Sequence, residues 1–236
     1  MRVFATFAVL AGLTFIPTAP ALGQAEVVGW APDYSGACAG CNLSGKRMVG
    51  WTIDGGHYAE TDFRNADMRG VSAIQAVFDG SNATGINLIG STITGAQFEN
   101  TRMDNAQLRR ANATGANFTG AGLAGAALDT GRFISGVFER TNLSGITARD
   151  AVFAAADLRG AIVTRADLTG SDFSGAKLQD ATLSGATLTN AIFVDSNLSG
   201  ADLRGILGFA SADFDGACAS ADTMLPEGLQ LDICGD

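Results

Sequence analysis

The chain has 236 residues, of which 31 are Gly, and only 8% of its residues are aromatic. A hydrophobic fraction of 47% with a charged fraction of 17% excludes an intrinsically disordered chain, which would be polar and highly charged. The net charge of −9 argues against direct nucleic-acid binding, and the single histidine, His57, removes most acid–base and metal chemistry.

The first residues have the pattern of a secretory signal peptide. Arg2 precedes a mostly apolar run at 3–16, and two prolines lead into the small-residue stretch 21–25. The alternative is a membrane anchor, but a spanning helix needs about 20 apolar residues and the prolines interrupt this run. We therefore predict a signal peptide at 1–23, a periplasmic or secreted location, and no transmembrane segment in the mature chain.

An apolar residue recurs at every fifth position from Leu43 to Leu203, which makes 33 consecutive apolar centres. A helix would rotate each five-residue step by about 140°, and a flat strand would alternate faces, so neither can bury this set. Two residues after the centre, 18 of the 33 units carry Gly, which permits a tight turn. If the chain turns a corner in every unit, four units close a square coil of 20 residues.

These units resemble the pentapeptide-repeat family. The clearest copies are Ala-Asp-Leu-Arg-Gly at 156–160 and 201–205, Ala-Asp-Leu-Thr-Gly at 166–170 and Ser-Asp-Phe-Ser-Gly at 171–175. The resemblance implies an all-β fold, a right-handed quadrilateral parallel β-helix, or solenoid, over residues 41–205. At 20 residues a turn this makes about eight coils.

Both ends of such a solenoid need a cap because their backbone groups would otherwise be unpaired. We predict an N-terminal cap segment at 24–40, closed by Trp30 and Trp51. The register breaks after Leu203, and the unit at 212–216 is displaced by one residue, so 206–236 is predicted to be the C-terminal cap.

Taking every twentieth residue predicts two columns of stacked phenylalanine rings. The first contains Phe78, Phe98, Phe118 and Phe138, and the second contains Phe133, Phe153, Phe173 and Phe193. The columns overlap only around residues 133–138. Both are expected to point inward.

The four cysteines lie in two pairs, Cys38 with Cys41 before the repeats and Cys218 with Cys234 after them. A Cys-x-x-Cys spacing also suits a redox motif or half of a zinc site. The repeats would hold the pairs about 40 Å apart, at about 4.8 Å a coil, which excludes a joint zinc site. In an exported chain an even count favours disulfides, so we predict Cys38–Cys41 and Cys218–Cys234.

No catalytic, cofactor-binding or metal-binding residues are predicted, and no cofactor. His57 is expected to be an exposed polar residue. Asp79, Glu99 and Glu139 align in one column, as acids do in some polysaccharide-degrading β-helix enzymes, but Thr119 interrupts the column. A solvated face is the favoured interpretation, and we predict that the chain is not an enzyme.

One face carries several outward apolar residues: Ile74, Ile134, Val152, Ile192 and Val194. They suggest an interaction or self-association surface, and the alternative is ordinary scattered surface hydrophobics. The predicted function is therefore an exported, non-enzymatic structural or protein-interaction module, whose partner is another protein, an envelope component or a second copy of the chain. The resemblance implies an alternative, a DNA-mimicking inhibitor of a type II topoisomerase that confers quinolone resistance.

Overall fold

The computed structural model describes residues 38–235. The predicted signal peptide at 1–23 and residues 24–37 of the predicted N-terminal cap lie outside this range. Within it, the chain is a coil of short parallel bridges with almost no helix. The named elements are a 3₁₀ helix, Phe209–Ser211, and two strands, β1 at Cys218–Ala219 and β2 at Asp232–Ile233.

Each repeat unit forms one parallel bridge to the unit twenty residues further along the chain. The bridging residue is the one just before the apolar centre, and the ladder runs from the pair Asn42↔Asp62 to the pair Thr187↔Leu207. Backbone hydrogen bonds flank each bridge, such as that from the Phe63 N–H to the Asn82 carbonyl. The register confirms a coil of 20 residues.

A turn at the end of every unit produces the corners. Its hydrogen bond runs from the first residue of the next unit back to the centre, as from the Ala66 N–H to the Phe63 carbonyl. The residue two after the centre has a positive φ in all units, between 53° and 72°, whether it is Gly or not. This left-handed turn position explains the excess of glycine, because only Gly, and less readily Asn or Asp, adopts it without strain.

Gly90 offers a direct test of this backbone requirement. Its φ is +65°, and nothing lies within 4 Å of where a Cβ would be. We expect Gly90→Val to lower the free energy of unfolding by about 1–2 kcal/mol through backbone strain alone. Gly90→Asn should cost less than half as much, because Asn tolerates the left-handed region. Urea unfolding of both variants checks this, and equal costs would contradict it.

The four walls of the solenoid are numbered in the order in which the chain meets them. Every centre is at most 4% exposed. The centres recur at 20-residue intervals from Leu43 to Leu203 in wall 1, Met48 to Leu188 in wall 2, Ile53 to Phe193 in wall 3, and Tyr58 to Leu198 in wall 4.

The two predicted phenylalanine columns are present, in walls 4 and 3. In wall 4, successive ring centroids from Phe78 to Phe138 are 4.8, 5.0 and 4.9 Å apart. In wall 3, those from Phe133 to Phe193 are 5.0, 4.9 and 5.1 Å apart, and Phe214 extends the stack by a further 5.1 Å. The rings therefore pack at close to the coil spacing.

The end of the solenoid departs from the 20-residue register. Ile192 pairs with Asp213 and Asn197 with Cys218, a step of 21, and Asp202 pairs with Met224, a step of 22. The 3₁₀ helix lies in the first lengthened step. The structure thus agrees with the displaced unit expected at 212–216, whose Phe214 still reaches the wall 3 column.

Candidate functional site

The residues considered for catalysis serve structural roles or face solvent. His57 is exposed, and its backbone bridges Val77. In the acidic column, the Asp79 carboxylate accepts a hydrogen bond from the Glu99 N–H at 2.8 Å, and Glu139 forms ion pairs with two arginines. Among residues 38–235, no group of three His, Cys, Asp or Glu residues is placed to hold a metal ion.

Asp or Asn just before the centre forms a hydrogen bond within its own unit, which the sequence alone did not reveal. Its side chain accepts a hydrogen bond from the N–H of the residue just after the centre, as Asn142 does from Ser144 at 3.1 Å. When that later residue is arginine, its guanidinium also binds the carboxylate. Residues 38–235 contain four such pairs: Asp62–Arg64, Asp67–Arg69, Asp157–Arg159 and Asp202–Arg204.

These pairs predict how stability depends on pH. In each of the four, the arginine side-chain hydrogen bond holds the pKa of the aspartate below its ordinary value of 3.8. A carboxyl whose pKa is depressed on folding adds stability above its unfolded pKa and loses it as the pH falls through the folded value. We expect the urea concentration at the unfolding midpoint to decrease as the pH is lowered below about 4. In a variant with all four arginines changed to Gln, this decrease should be smaller. An identical acid response in that variant would contradict the prediction.

The five predicted surface residues all lie on wall 3, on either side of its centres. Ile74 and Ile192 are each 37% exposed, and the other three are half-buried. Val152 and Ile134 lie one coil apart, and Ile192 and Val194 flank Phe193 in a later coil. Thr94 and Thr114 separate Ile74 from the rest. The structure thus divides the expected strip, and its role as an interaction surface stays a prediction.

A charged residue that was not among the five predicted ones, Arg132, lies beside them on wall 3. Arg132 bridges Val152, which bridges Asp172, which in turn bridges Ile192. Arg132 forms no ion pair with any residue in the described part of the chain. We define the wall 3 patch as Arg132, Ile134, Val152, Ile192 and Val194. Arginine and apolar side chains on a flat surface are typical of interaction sites.

Large exposed apolar residues are not confined to wall 3. Ile162 of wall 1 is 44% exposed and Val49 of wall 2 is 39% exposed. They are single residues on two different walls, whereas the wall 3 patch groups Arg132, Ile134 and Val152 in two adjacent coils and Ile192 and Val194 in a further coil. Ile162 and Val49 therefore provide matched controls for the patch.

Both predicted cysteine pairs are disulfide-bonded, and they lie at opposite ends of the described chain. Cys38–Cys41 precedes the first bridge, and Cys218–Cys234 links β1 to the residue after β2. In residues 38–235 no free cysteine is present. The Cys-x-x-Cys motif forms a disulfide, so neither of its sulfurs is a free thiolate.

Comparisons with known proteins agree with this architecture. The model of the family described as pentapeptide repeats matches in eight copies, over 59–95, 93–128, 137–175 and 166–205. The structure of HetL, a pentapeptide repeat protein involved in heterocyst differentiation regulation from the cyanobacterium Nostoc sp. strain PCC 7120, is 24% identical. It aligns with a TM-score of 0.56 over 80% of this chain and 89% of HetL, which shows a shared fold.

Two further structures are less similar. A pentapeptide repeat protein of the Arabidopsis thaliana thylakoid lumen is 34% identical over 36% of this chain and 63% of its own, with a TM-score of 0.32. QnrB1, a plasmid-mediated fluoroquinolone resistance protein, is 18% identical in a trypsin-treated variant over 78% of this chain and 90% of its own, with a TM-score of 0.35. No curated protein sequence matches the chain. No helix in the described range is long and apolar enough to cross a membrane.

Proposed function

The chain belongs to the pentapeptide-repeat family, and we propose that it is an exported, non-enzymatic module that binds another protein or an envelope component through the wall 3 patch. Members of this family are generally structural or interaction proteins rather than enzymes. We further propose that the solenoid is right-handed with about eight coils, and that 24–40 and 206–236 cap its ends.

Export is supported by two independent features. The chain begins with the signal-peptide pattern described above, and both cysteine pairs are oxidised. Disulfides form and persist in the periplasm and outside the cell but are rare in the cytosol. The two features agree on a periplasmic or secreted location.

The observation that carries the binding proposal is the composition of the wall 3 patch. Arg132 lacks an ion pair within the described chain, although four other arginines pair with an aspartate two residues before them. Ile134 and Val152 lie beside it on a flat wall. Arginine is enriched among the residues that contribute most to protein–protein binding energy, and neighbouring apolar contacts exclude water from such a residue.

The binding proposal is tested with two double variants of equal charge. Ile134→Asp/Val152→Asp alters the patch, and Ile162→Asp/Val49→Asp alters exposed apolar residues on other walls. We expect tagged wild type to capture an envelope protein and the control variant to capture the same amount. The patch variant should capture at least tenfold less of it. Sedimentation equilibrium of the three proteins shows whether the partner is a second copy. Equal capture by both variants would contradict the proposal.

Export is tested by fractionating cells that express the chain with a C-terminal tag. We expect a processed protein that starts near Gln24, in the periplasm or the medium. Leu10→Arg/Leu13→Arg, which interrupts the apolar run, should leave an unprocessed protein in the cytosol. Unprocessed wild-type protein in the cytosol would overturn the proposal.

Unprocessed wild-type protein in the cytosol would favour the alternative, a DNA-mimicking inhibitor of a type II topoisomerase. A mimic of duplex DNA needs densely spaced, unpaired negative charge. Here the four Asp–Arg pairs neutralise acids on walls 1, 2 and 4. The charge pattern therefore supports the interaction module over the mimic.

A further inference from the structure

Wall 1 contains a polar cleft where one side chain is missing from a regular column. The column before the wall 1 centres runs Asn82, Arg102, Gly122 and Asn142, each bridged to the next. Gly122 leaves a gap between Arg102 and Asn142, and a cleft of about 490 Å³ opens there. Gly122 has no positive φ, and a Cβ would meet only the Asp104 carboxylate, at 3.4 Å and beyond. The backbone conformation therefore does not require glycine at this position.

The charged groups in this cleft are arranged in the reverse of the usual order. On the same wall, Asp62 precedes Arg64 by two residues and the two side chains form a close ion pair. In the cleft, the arginine comes first, as Arg102, and the acid second, as Asp104. No ion pair joins them, and Arg102 pairs with no other residue of the described chain. The guanidinium therefore keeps all its donors available.

Two amides add further free donors. The Asn82 side-chain oxygen accepts hydrogen bonds from the Thr84 N–H and hydroxyl, at 3.3 and 2.8 Å. The Asn142 oxygen does the same with Ser144, at 3.1 and 2.6 Å. Because these oxygens are occupied, each Nδ2 group is the free end of its amide, and neither bonds to another described residue.

One acceptor faces these donors. The Asp104 Oδ1 atom accepts the Ala124 N–H at 3.2 Å, and Oδ2 has no hydrogen-bond partner within the described residues. The cleft thus combines a guanidinium and two amide donors with a single carboxylate oxygen. A guanidinium binds carboxylates through two parallel, charge-assisted hydrogen bonds.

We propose that this cleft binds a small organic acid whose carboxylate lies close to a hydroxyl or ammonium group. Arg102 and the Nδ2 group of Asn142, which lie on the two sides of the gap at Gly122, bind the carboxylate, and Asp104 accepts from the neighbouring hydroxyl or ammonium. The cleft lies on wall 1 and is lined by none of the wall 3 patch residues. This site is therefore independent of the proposed partner surface.

The choice of probes tests the ligand chemistry. D-glucuronate carries a carboxylate with hydroxyls, glycine a carboxylate with an ammonium, acetate only a carboxylate, and D-glucose only hydroxyls. In NMR titrations of the full chain, we expect glucuronate or glycine to bind at least tenfold more tightly than acetate or glucose. If both glucuronate and glycine bind, Asp104 can accept a hydrogen bond from either a hydroxyl or an ammonium group. Absence of binding by all probes at millimolar concentration, or equal affinity for acetate, would overturn the proposal.

The choice of variants tests the location. Gly122→Asn restores the column residue found at Asn82 and Asn142, so it should fill the cleft, abolish binding and leave the urea midpoint unchanged or raised. Arg102→Gln should weaken binding at least tenfold. Asp104→Asn should reduce the preference over acetate. Unchanged binding by a folded Gly122→Asn variant would place any affinity elsewhere and overturn the site.

Discussion

Replacing Phe118 with alanine is expected to lower the free energy of unfolding by about 3–5 kcal/mol, because it empties a fully buried site that the surrounding walls cannot close. Phe118 is 0% exposed. Its ring stacks on Phe98 at 5.0 Å and on Phe138 at 4.9 Å, and it meets the edge of Phe133 at 6.5 Å. The substitution removes all of these ring contacts as well as the buried apolar area.

The central position of Phe118 makes this cost unavoidable. Each coil of a solenoid contacts only its neighbours, so damage near an end can be relieved by unfolding of that end alone. Phe118 lies in the middle of its column, so unfolding that reached it from either end would also have to unfold several coils. We therefore expect the whole cost to appear in the global transition.

Urea unfolding followed by circular dichroism measures the effect, with two controls. Phe118→Leu should cost less than half as much, since Leu158, Leu178 and Leu198 fill the same wall. Thr119→Ala, beside it on the surface, should cost no more than about 1 kcal/mol, the value of its hydrogen bond to Asn117. A Phe118→Ala variant as stable as wild type would mean that the centres do not support the core.

The five-residue period was sufficient to predict the coil, the inward centres and both phenylalanine columns. An uninterrupted apolar period fixes which side chains share the interior, and a 20-residue step then fixes which ones stack. The period could not show that non-glycine corner residues, such as Thr130 with a φ of 56°, adopt the same left-handed turn. The bridges on both sides of the corner impose that conformation.

The surface was harder to predict because it depends on neighbours twenty residues apart. The five apolar residues of wall 3 share a wall as expected, but Thr94, Thr114 and Asp172 divide them. Arg132 and Arg159 are both next to a centre, yet Arg159, which follows Leu158, pairs with Asp157, whereas Arg132, which precedes Phe133, forms no ion pair in the described chain. The position of an arginine before or after its centre decides which acids it can reach.

The wall 1 cleft depends on the same rule. Gly122 is one of many glycines, and composition gives no reason to single it out. Its place in the column between Arg102 and Asn142 becomes visible only when residues are aligned by coil. The missing side chain, rather than any motif, creates the site.

Removing the disulfide at the C-terminal end should open the last segment of the chain and leave the solenoid intact. Little else holds this segment: β1 and β2 are two residues each, and β2 is exposed. Cys218–Cys234 closes a loop with a sequence separation of 16, worth about 3 kcal/mol in the chain-entropy model. We expect Cys218→Ser/Cys234→Ser to lower the free energy of local opening by about that amount.

Hydrogen exchange at two amides measures this opening. The Cys234 N–H bonds to the Ala219 carbonyl, and the Met224 N–H bonds to the Ala201 carbonyl, both at 2.9 Å. In the double variant, we expect the backbone amide at position 234, and that of Met224 with it, to exchange on the order of a hundredfold faster, while amides of the central coils keep their wild-type rates.

A matched variant at the other end separates local from general effects of losing a disulfide. Cys38→Ser/Cys41→Ser removes a much shorter loop, whose turn is also held by the Cys41 N–H bond to the Cys38 carbonyl. It should leave exchange at Met224 unchanged, because coils that are not neighbours do not interact. If the C-terminal variant also kept its wild-type exchange rates, the partly buried Leu225, Leu229 and Leu231 would be sufficient to hold the last segment, and the disulfide would be redundant for stability.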